Sequence, residues 1–271
     1  MPPPFNIAEL RAALVGTRFS AHVQHFLSVD STNNLLLEAA ATGAPEGTLY
    51  LADAQTAGRG RGGHTWHSAP GDGLYLSVLA KPSLHLREAL WISLATGLAA
   101  QAAIKSTTGL DIDLRWPNDL LFGDRKLGGI LVETAVEPDA DATLRYAVIG
   151  IGININHDSF PPDLAALASS LRLATGLEQS RNTLLIALLR ALDFELTQLE
   201  TQQPDLLKRF TAASSWVHGK RVHVPEQGGY NGITAGLDAR GFLLVNADDH
   251  TLRTVLSGGV REASPPSAKD L

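Results

Sequence analysis

The sequence contains no cysteine. Disulfides, thiolate metal sites and thiol nucleophiles are therefore excluded whatever the fold. It also lacks an excess of basic charge: 22 Lys and Arg against 28 Asp and Glu leave a net charge of −6. A dedicated nucleic-acid binder carries the opposite balance, so only a local basic patch could serve such a partner. No apolar run reaches the roughly 18 residues of a membrane span. The opening MPPPFNIAEL has neither the basic start nor the apolar stretch of a secretory leader. A soluble, cytoplasmic protein is expected. No stretch repeats itself, which sets aside solenoids and propellers. Of the 271 residues 44% are apolar and 18% charged. That composition buries a sizeable core and suits one large domain plus a small one.

Residues 21–29 (AHVQHFLSV) alternate like a half-buried strand. Ser31 or Thr32 can then cap a helix running through Leu35–Leu37 and Ala39–Ala41, with Gly43 and Pro45 ending it. Strands are expected at 48–55 and 73–82, and a buried helix with period 3.6 at 86–109. Further strands are expected at 111–116, 126–137 and 144–156, the last almost wholly apolar and so covered on both faces. An amphipathic helix spans 181–200, and the helical region continues after a break at Pro204. Beyond Trp216 the texture changes to short strands at 220–225, 230–238, 241–246 and 251–260. Gly228-Gly229, Asp238 to Gly241 and Asp248-Asp249 supply the turns between them. This reads as a small β-barrel of about fifty residues. Pro2–Pro4 and the closing SPPSAKDL read as frayed ends.

Four segments can carry chemistry. In DSTN (30–33) small hydroxyl and amide groups meet a helix start; they can satisfy a buried polar ligand, although capping alone accounts for Ser31 and Thr32. QTAGRGRGGHTW (55–66) sets Arg59 and Arg61 among Gly58, Gly60, Gly62 and Gly63. It reads equally as a loop closing over phosphate and as a flexible hairpin with solvated arginines. Its third reading, an RNA-adhering tract, lacks interleaved aromatics and a basic chain around it. In RWPNDLLFGDRKLGGILVE (115–133), Asn118 and Asp119 follow Pro117 as a turn requires, and Gly123-Asp124 supplies a second turn. Lys126 at the head of an apolar strand is either a snorkelling edge residue or a cation aimed into a site. Gly128-Gly129 removes side chains where something approaches the backbone. GIGININ (150–156) places Asn154 and Asn156 at the end of a buried strand, where α/β sheets bind ligands and where Asn also serves as a turn residue. His64 and His67 have no carboxylate motif beside them, so no metal site is expected.

Taken in order, DSTN, the Gly-Arg segment, WPNDLLFGDRKLGGILVE and VIGIGININ, followed by a β-rich C-terminus, closely resemble a biotin–protein ligase from about Phe26 to Arg261. The chain begins almost at the catalytic region, so it resembles the monofunctional type without an N-terminal DNA-binding domain. The resemblance implies an α/β (α+β) fold: a mixed β-sheet catalytic domain packed by helices over 1–214, then a small SH3-like β-barrel over 215–271 with a disordered tail. It implies an ATP-dependent enzyme that makes biotinyl-5′-adenylate and passes the biotinyl group to a lysine of a biotin carboxyl carrier protein or domain. Biotin, ATP and Mg²⁺ carried by the ATP are the implied ligands. No DNA or membrane partner is implied, and a homodimer is allowed. Ser31, Thr32, Asn33, Gln55, Gly58, Arg59, Lys126, Gly129 and Leu131 are implied around biotin; Arg59, Arg61, Trp66, Lys126 and Asn154 around the adenylate. Arg59, Arg61 and Lys126 would offset the repulsion between a carboxylate and a polyphosphate, with Lys126 between the biotin carboxylate and the α-phosphate. Asp119 would orient or deprotonate the acceptor lysine. The chain departs from the family pattern at Gly62 and His64, where relatives often carry further basic residues. Lipoate–protein ligases share fold and chemistry but build this loop on a glycine run, and octanoyl transferases of the superfold need the cysteine that is missing.

Overall fold

Seven strands form the larger sheet of the computed structural model, which describes residues 5–138, 140–201, 203–226 and 228–263. They are β1 (Val23–Phe26), β2 (Leu49–Ala52), β3 (Gly73–Ala80), β4 (Asp113–Arg115), β5 (Asp119–Phe122), β6 (Arg125–Val136) and β7 (Leu144–Asn154). Their order is β1-β2-β3-β7-β6-β5-β4. β1 and β2 run parallel and every other neighbour is antiparallel. Helices α1 (Ile7–Ala13), α2 (Thr32–Ala41), α3 (Ala89–Thr108), α4 (Leu171–Thr175), α5 (Arg181–Thr201) and α6 (Gln203–Ala213) accompany it. A second, five-stranded antiparallel sheet follows, from β8 (His218–Val224), β9 (Tyr230–Leu237), β10 (Leu243–Ala247), β11 (Leu252–Val255) and β12 (Arg261–Glu262), ordered β11-β10-β9-β8-β12.

The central strands are covered on both sides, and β3 is buried throughout. α3, packed against α5 and α6, lies over one face, and α2 lies over β3 and β7 on the other. Period-two alternation sorts β7 between these faces. Ile149, Ile151 and Ile153 join the main core. Gly150, Gly152 and Asn154 point to the α2 side, where Val148, Leu79 and Leu36 make a smaller apolar cluster. The Ile-Gly repeat thus builds a greasy underside and a floor without side chains.

The two sheets share one core. Trp116 Nε1 donates to the Gly241 carbonyl at 2.9 Å and Trp91 Nε1 to that of Arg240 at 2.7 Å. Burying side chains of this size stabilises the contact by about 2–3 kcal/mol each. The glycine and aspartate turns of the second sheet stand where expected, with positive φ at Gly228, Gly229 and Gly241.

Some elements differ from the pattern reading. The turn around Pro117 spans only residues 116–118, and Asp119 already begins β5. α1, α4 and β12 are too short to show a period. Pro204, where a break is expected, falls instead in the first turn of α6, where a missing N–H is harmless. The expected frayed ends, Pro2–Pro4 and the tail from residue 264, lie outside the described residues. Among the described residues no helix is long and apolar enough to cross a membrane.

Candidate active site

A narrow cavity opens on the glycine floor. Register explains its shape. Gly129 faces Gly152 and Leu131 faces Gly150 across β6 and β7. A Cβ at Gly152 would stand 2.5 Å from Trp66 Nε1, and one at Gly129 would stand 3.2 Å from Lys126 Cε. The indole of Trp66 and the stem of Lys126 therefore lie directly on the strands.

One end of the cavity is polar. Ser31 caps α2, but its hydroxyl accepts only a long 3.5 Å bond from Asn34 N, which leaves its proton for a ligand. Gln55 Oε1 accepts from Thr32 N at 2.9 Å, and Gln55 Nε2 donates to Ser68 Oγ at 2.9 Å. Ser77 Oγ, on β3, stands 2.8 Å from Thr32 Oγ1 and 2.5 Å from Asn33 Oδ1. Gly58 must be glycine, because a Cβ there would meet the Trp66 carbonyl at 2.6 Å and Ser68 Oγ at 2.8 Å.

The Gly-Arg segment forms a hairpin. Trp66 N donates to the Gly58 carbonyl at 2.8 Å and Gly60 N to the His64 carbonyl at 2.7 Å. Gly62 and Gly63 turn the tip with φ of 62° and 78°, a conformation that a basic side chain would strain. The two arginines point apart. Arg59 makes a bidentate pair with Glu133, at 3.0 and 2.8 Å, and donates to Asn34 Oδ1 at 2.7 Å. Arg61 donates to Asn118 Oδ1 at 3.1 Å and to the carbonyl of Gly258, between β11 and β12 of the second sheet, at 2.7 Å. Burial pulls the Arg61 guanidinium down, against the fields of Asp119 and Glu226.

Lys126 Nζ stands 2.5 Å from Asp119 Oδ1 and 5.5 Å from the centre of the Trp66 ring. The other oxygen of Asp119 accepts from Arg115 Nη2 at 2.6 Å. Burial pushes the Asp119 carboxyl up, but Lys126 and Arg115 outweigh it and hold it below the ordinary value. It is ionised at neutral pH and committed to two cations.

A second, wider cavity of about 520 Å³ continues beyond Trp66 and Lys126, with Arg115, Asn154, Phe160 and Leu164 among its walls. Lys126 straps this wall in place: its N–H donates to the Leu167 carbonyl at 2.8 Å and its carbonyl accepts from Ser169 N at 2.9 Å. Asn154 Nδ2 donates to the Ser169 carbonyl at 3.0 Å. Asn156 takes no part; it exchanges bonds with Gln179. Among the described residues Trp66 Nε1 is buried without a hydrogen-bond partner, a donor left over for a ligand.

Of the residues singled out in the four segments, Gly62, Gly63, Gly123, Gly128, Asn156 and the exposed His64 line neither cavity, and Gly58 and Asp119 touch residues that do; the others converge here, and His67 borders the wider cavity. Among the described residues no group of three His, Cys, Asp or Glu could hold a metal. The pattern reading gave no role to Asn34, Ser77, Arg115, Glu133 or Phe160. Gly150 and Glu133 could have been found from period two, since each lies on the same face of its strand as a residue already singled out, Asn154 and Leu131; Ser77 lies on β3, which carries no such residue.

The chain matches the Biotin/lipoate A/B protein ligase family over residues 26–154 and the Biotin protein ligase C terminal domain over 217–260. It is 32% identical to a biotin–[acetyl-CoA-carboxylase] ligase of Mycobacterium tuberculosis over 265 residues, 95% of each chain. It is 37% identical over 177 residues to the bifunctional ligase/repressor BirA of Bacillus spizizenii, a match that covers 65% of this chain and 54% of that protein. Among solved structures, a biotin protein ligase from Aquifex aeolicus in complex with biotin and ATP superposes with a TM-score of 0.77, at 28% identity, over 90% of this chain and 100% of that one.

Proposed function

The chain belongs to the biotin/lipoate A/B protein ligase family, and on that premise we propose that it is a biotin–protein ligase. The biotin carboxylate attacks the α-phosphorus of ATP, forming biotinyl-5′-adenylate and releasing pyrophosphate. A lysine amine of a biotin carboxyl carrier domain then attacks the acyl carbon and AMP leaves. One observation carries the reading: a polar-ended cavity with a glycine floor runs beneath Trp66 to Lys126 and opens there into a second cavity. That is the shape of an apolar acid with a hydrogen-bonding head, meeting a nucleotide at its carboxylate.

In this reading the head of biotin bonds to Ser31, Thr32 and Gln55, and its chain lies over Gly129 and Gly152. Asn33 braces the head site, and the backbone of Gly58 and Leu131 completes the wall. The base and ribose fill the wider cavity beside Phe160 and Asn154. Lys126 meets the carboxylate and α-phosphate together, and Arg61 holds the loop and its charge over them. Mg²⁺ carried by the nucleotide would offset charge on the leaving pyrophosphate. Residues 1–214 carry both substrate sites, and the module from 215 onward closes one side through Gly258. The need for ATP and a carboxylase partner makes the cytoplasm its compartment.

ATP–pyrophosphate exchange with biotin, with lipoate and with neither tests the proposal. Exchange is expected with biotin alone; exchange with lipoate but not biotin overturns it.

Two substitutions test roles. Arg61→Gly should release biotinyl-adenylate about tenfold faster, because the closed loop shields a mixed anhydride from water; a wild-type release rate removes Arg61 from that role. Asp119→Asn should slow both half-reactions about tenfold by freeing Lys126. An ionised, doubly paired carboxylate is a weak base, so both steps are expected to suffer alike. Loss of the transfer step alone would make Asp119 the base for the acceptor lysine.

A further inference from the structure

Glu133 lies on the ligand face of β6, two residues past Leu131. Its Oε2 accepts from Asn33 Nδ2 at 2.9 Å, and its two oxygens take the bidentate pair from Arg59. The two sides of this carboxylate differ in stiffness. Asn33 cannot shift: Ser77 Oγ stands 2.5 Å from its Oδ1, and it occupies the space a Cβ at Gly150 would take, 2.2 Å from that same oxygen. Arg59, by contrast, belongs to a hairpin whose backbone bonds between Gly58 and Trp66 are internal to the hairpin. A planar guanidinium held by two parallel bonds has a defined orientation as well as a partner.

Charge leads to the same place. Glu133 puts a carboxylate beside a cavity proposed to receive a carboxylate and a triphosphate. Paired with Arg59, it is neutralised, and so is Arg59. The cations left to attract those anions are Lys126, Arg61 and Arg115, of which the first and last share the single charge of Asp119.

We infer that Glu133 is a positioning residue that ties the Gly-Arg hairpin to the braced floor of the biotin site through Arg59, so that Arg59 serves as the anchor of the hairpin and not as a phosphate-facing cation. The inference rests on the ligase reading for its role in the reaction, but the tie itself does not. The head site and the lid over the adenylate become one connected network: Thr32, Ser77, Asn33, Glu133, Arg59.

Trypsin cleavage after Arg61 reads the state of the hairpin without any substrate. Glu133→Gln and Arg59→Ala should each speed cleavage at Arg61–Gly62 by about tenfold in the ligand-free protein, through more frequent local opening. The double variant should be cleaved no faster than Arg59→Ala alone, because both changes remove one interaction. Thermal unfolding should stay within a few degrees of wild type, since Arg59 is 41% exposed. In the presence of biotin and ATP, Glu133→Gln should also release adenylate about tenfold faster. Wild-type cleavage of Glu133→Gln, or effects that add in the double variant, would overturn the inference. Coupled cleavage in a protein without biotin-dependent exchange would sink the ligase reading and leave the tie standing.

Discussion

Lys126→Ala is expected to slow biotin-dependent adenylation by about 10²-fold or more, the cost of removing a preorganised charge from the reacting centre. Three features set that expectation. The ammonium is fixed by a 2.5 Å contact with Asp119, and its stem lies on Gly129, so little reorganisation is needed as charge develops. It stands where the two cavities meet, the one place common to a carboxylate in the first and a phosphate in the second. Asp119 is in turn shared with Arg115, so the lysine can lean towards an incoming anion without leaving a carboxylate buried and unpaired. Lys126→Arg should rescue poorly, because the glycine floor and the Trp66 ring, 5.5 Å away, leave a slot for a compact ammonium and not a planar fork. Single-turnover formation of the adenylate measures both. A near-wild-type rate for the alanine variant would reduce Lys126 to a snorkelling edge residue.

Gly150→Ala is expected to weaken biotin binding by about 10²-fold. The added methyl would fall 2.2 Å from Asn33 Oδ1 and 2.9 Å from its Cγ, so the amide must move. Moving it breaks its contact with Ser77, its bond to Glu133 and the alignment of Thr32 at the head of α2. Each buried polar group left unsatisfied costs about 1–3 kcal/mol, and overpacking adds strain of similar size. Two such losses suffice for the expected drop. Calorimetric titration with biotin measures it, with a thermal melt beside it to register the cost to the fold. Wild-type affinity would mean that Asn33 moves freely and that the floor does not depend on glycine at this position.

The sites of strands, caps and turns were legible because each depends on neighbours in the chain. Ser31 caps α2 and the glycine-rich turns punctuate the second sheet as the residues themselves require. The strand at 119–122 was not legible: four residues behind a proline turn carry no period, and β5 exists because β6 offers it hydrogen bonds. The alternation IGIGIN was visible as apolar, but its meaning was not. Only the pairing of β7 with β3 and β6 on either side makes its glycines a floor, above which a methyl group would collide with Trp66 or Asn33.

By itself, then, the chain's sequence determined which chemical groups are present and the order of the motifs that identify the family. It also made the Gly-Arg segment a tethered loop between strands. Tertiary structure decided the partner of each charge. Arg59 pairs with a glutamate 74 positions away, and Arg61 with a carbonyl 197 positions away. The physical reason is reach: propensity, capping and periodicity act over a few residues, whereas these partners meet only once strand register and the docking of the second sheet bring distant segments within 3 Å. Alternating arginines in a glycine run look equivalent in sequence. In the fold one anchors the loop to the floor, and the other joins it to the second sheet.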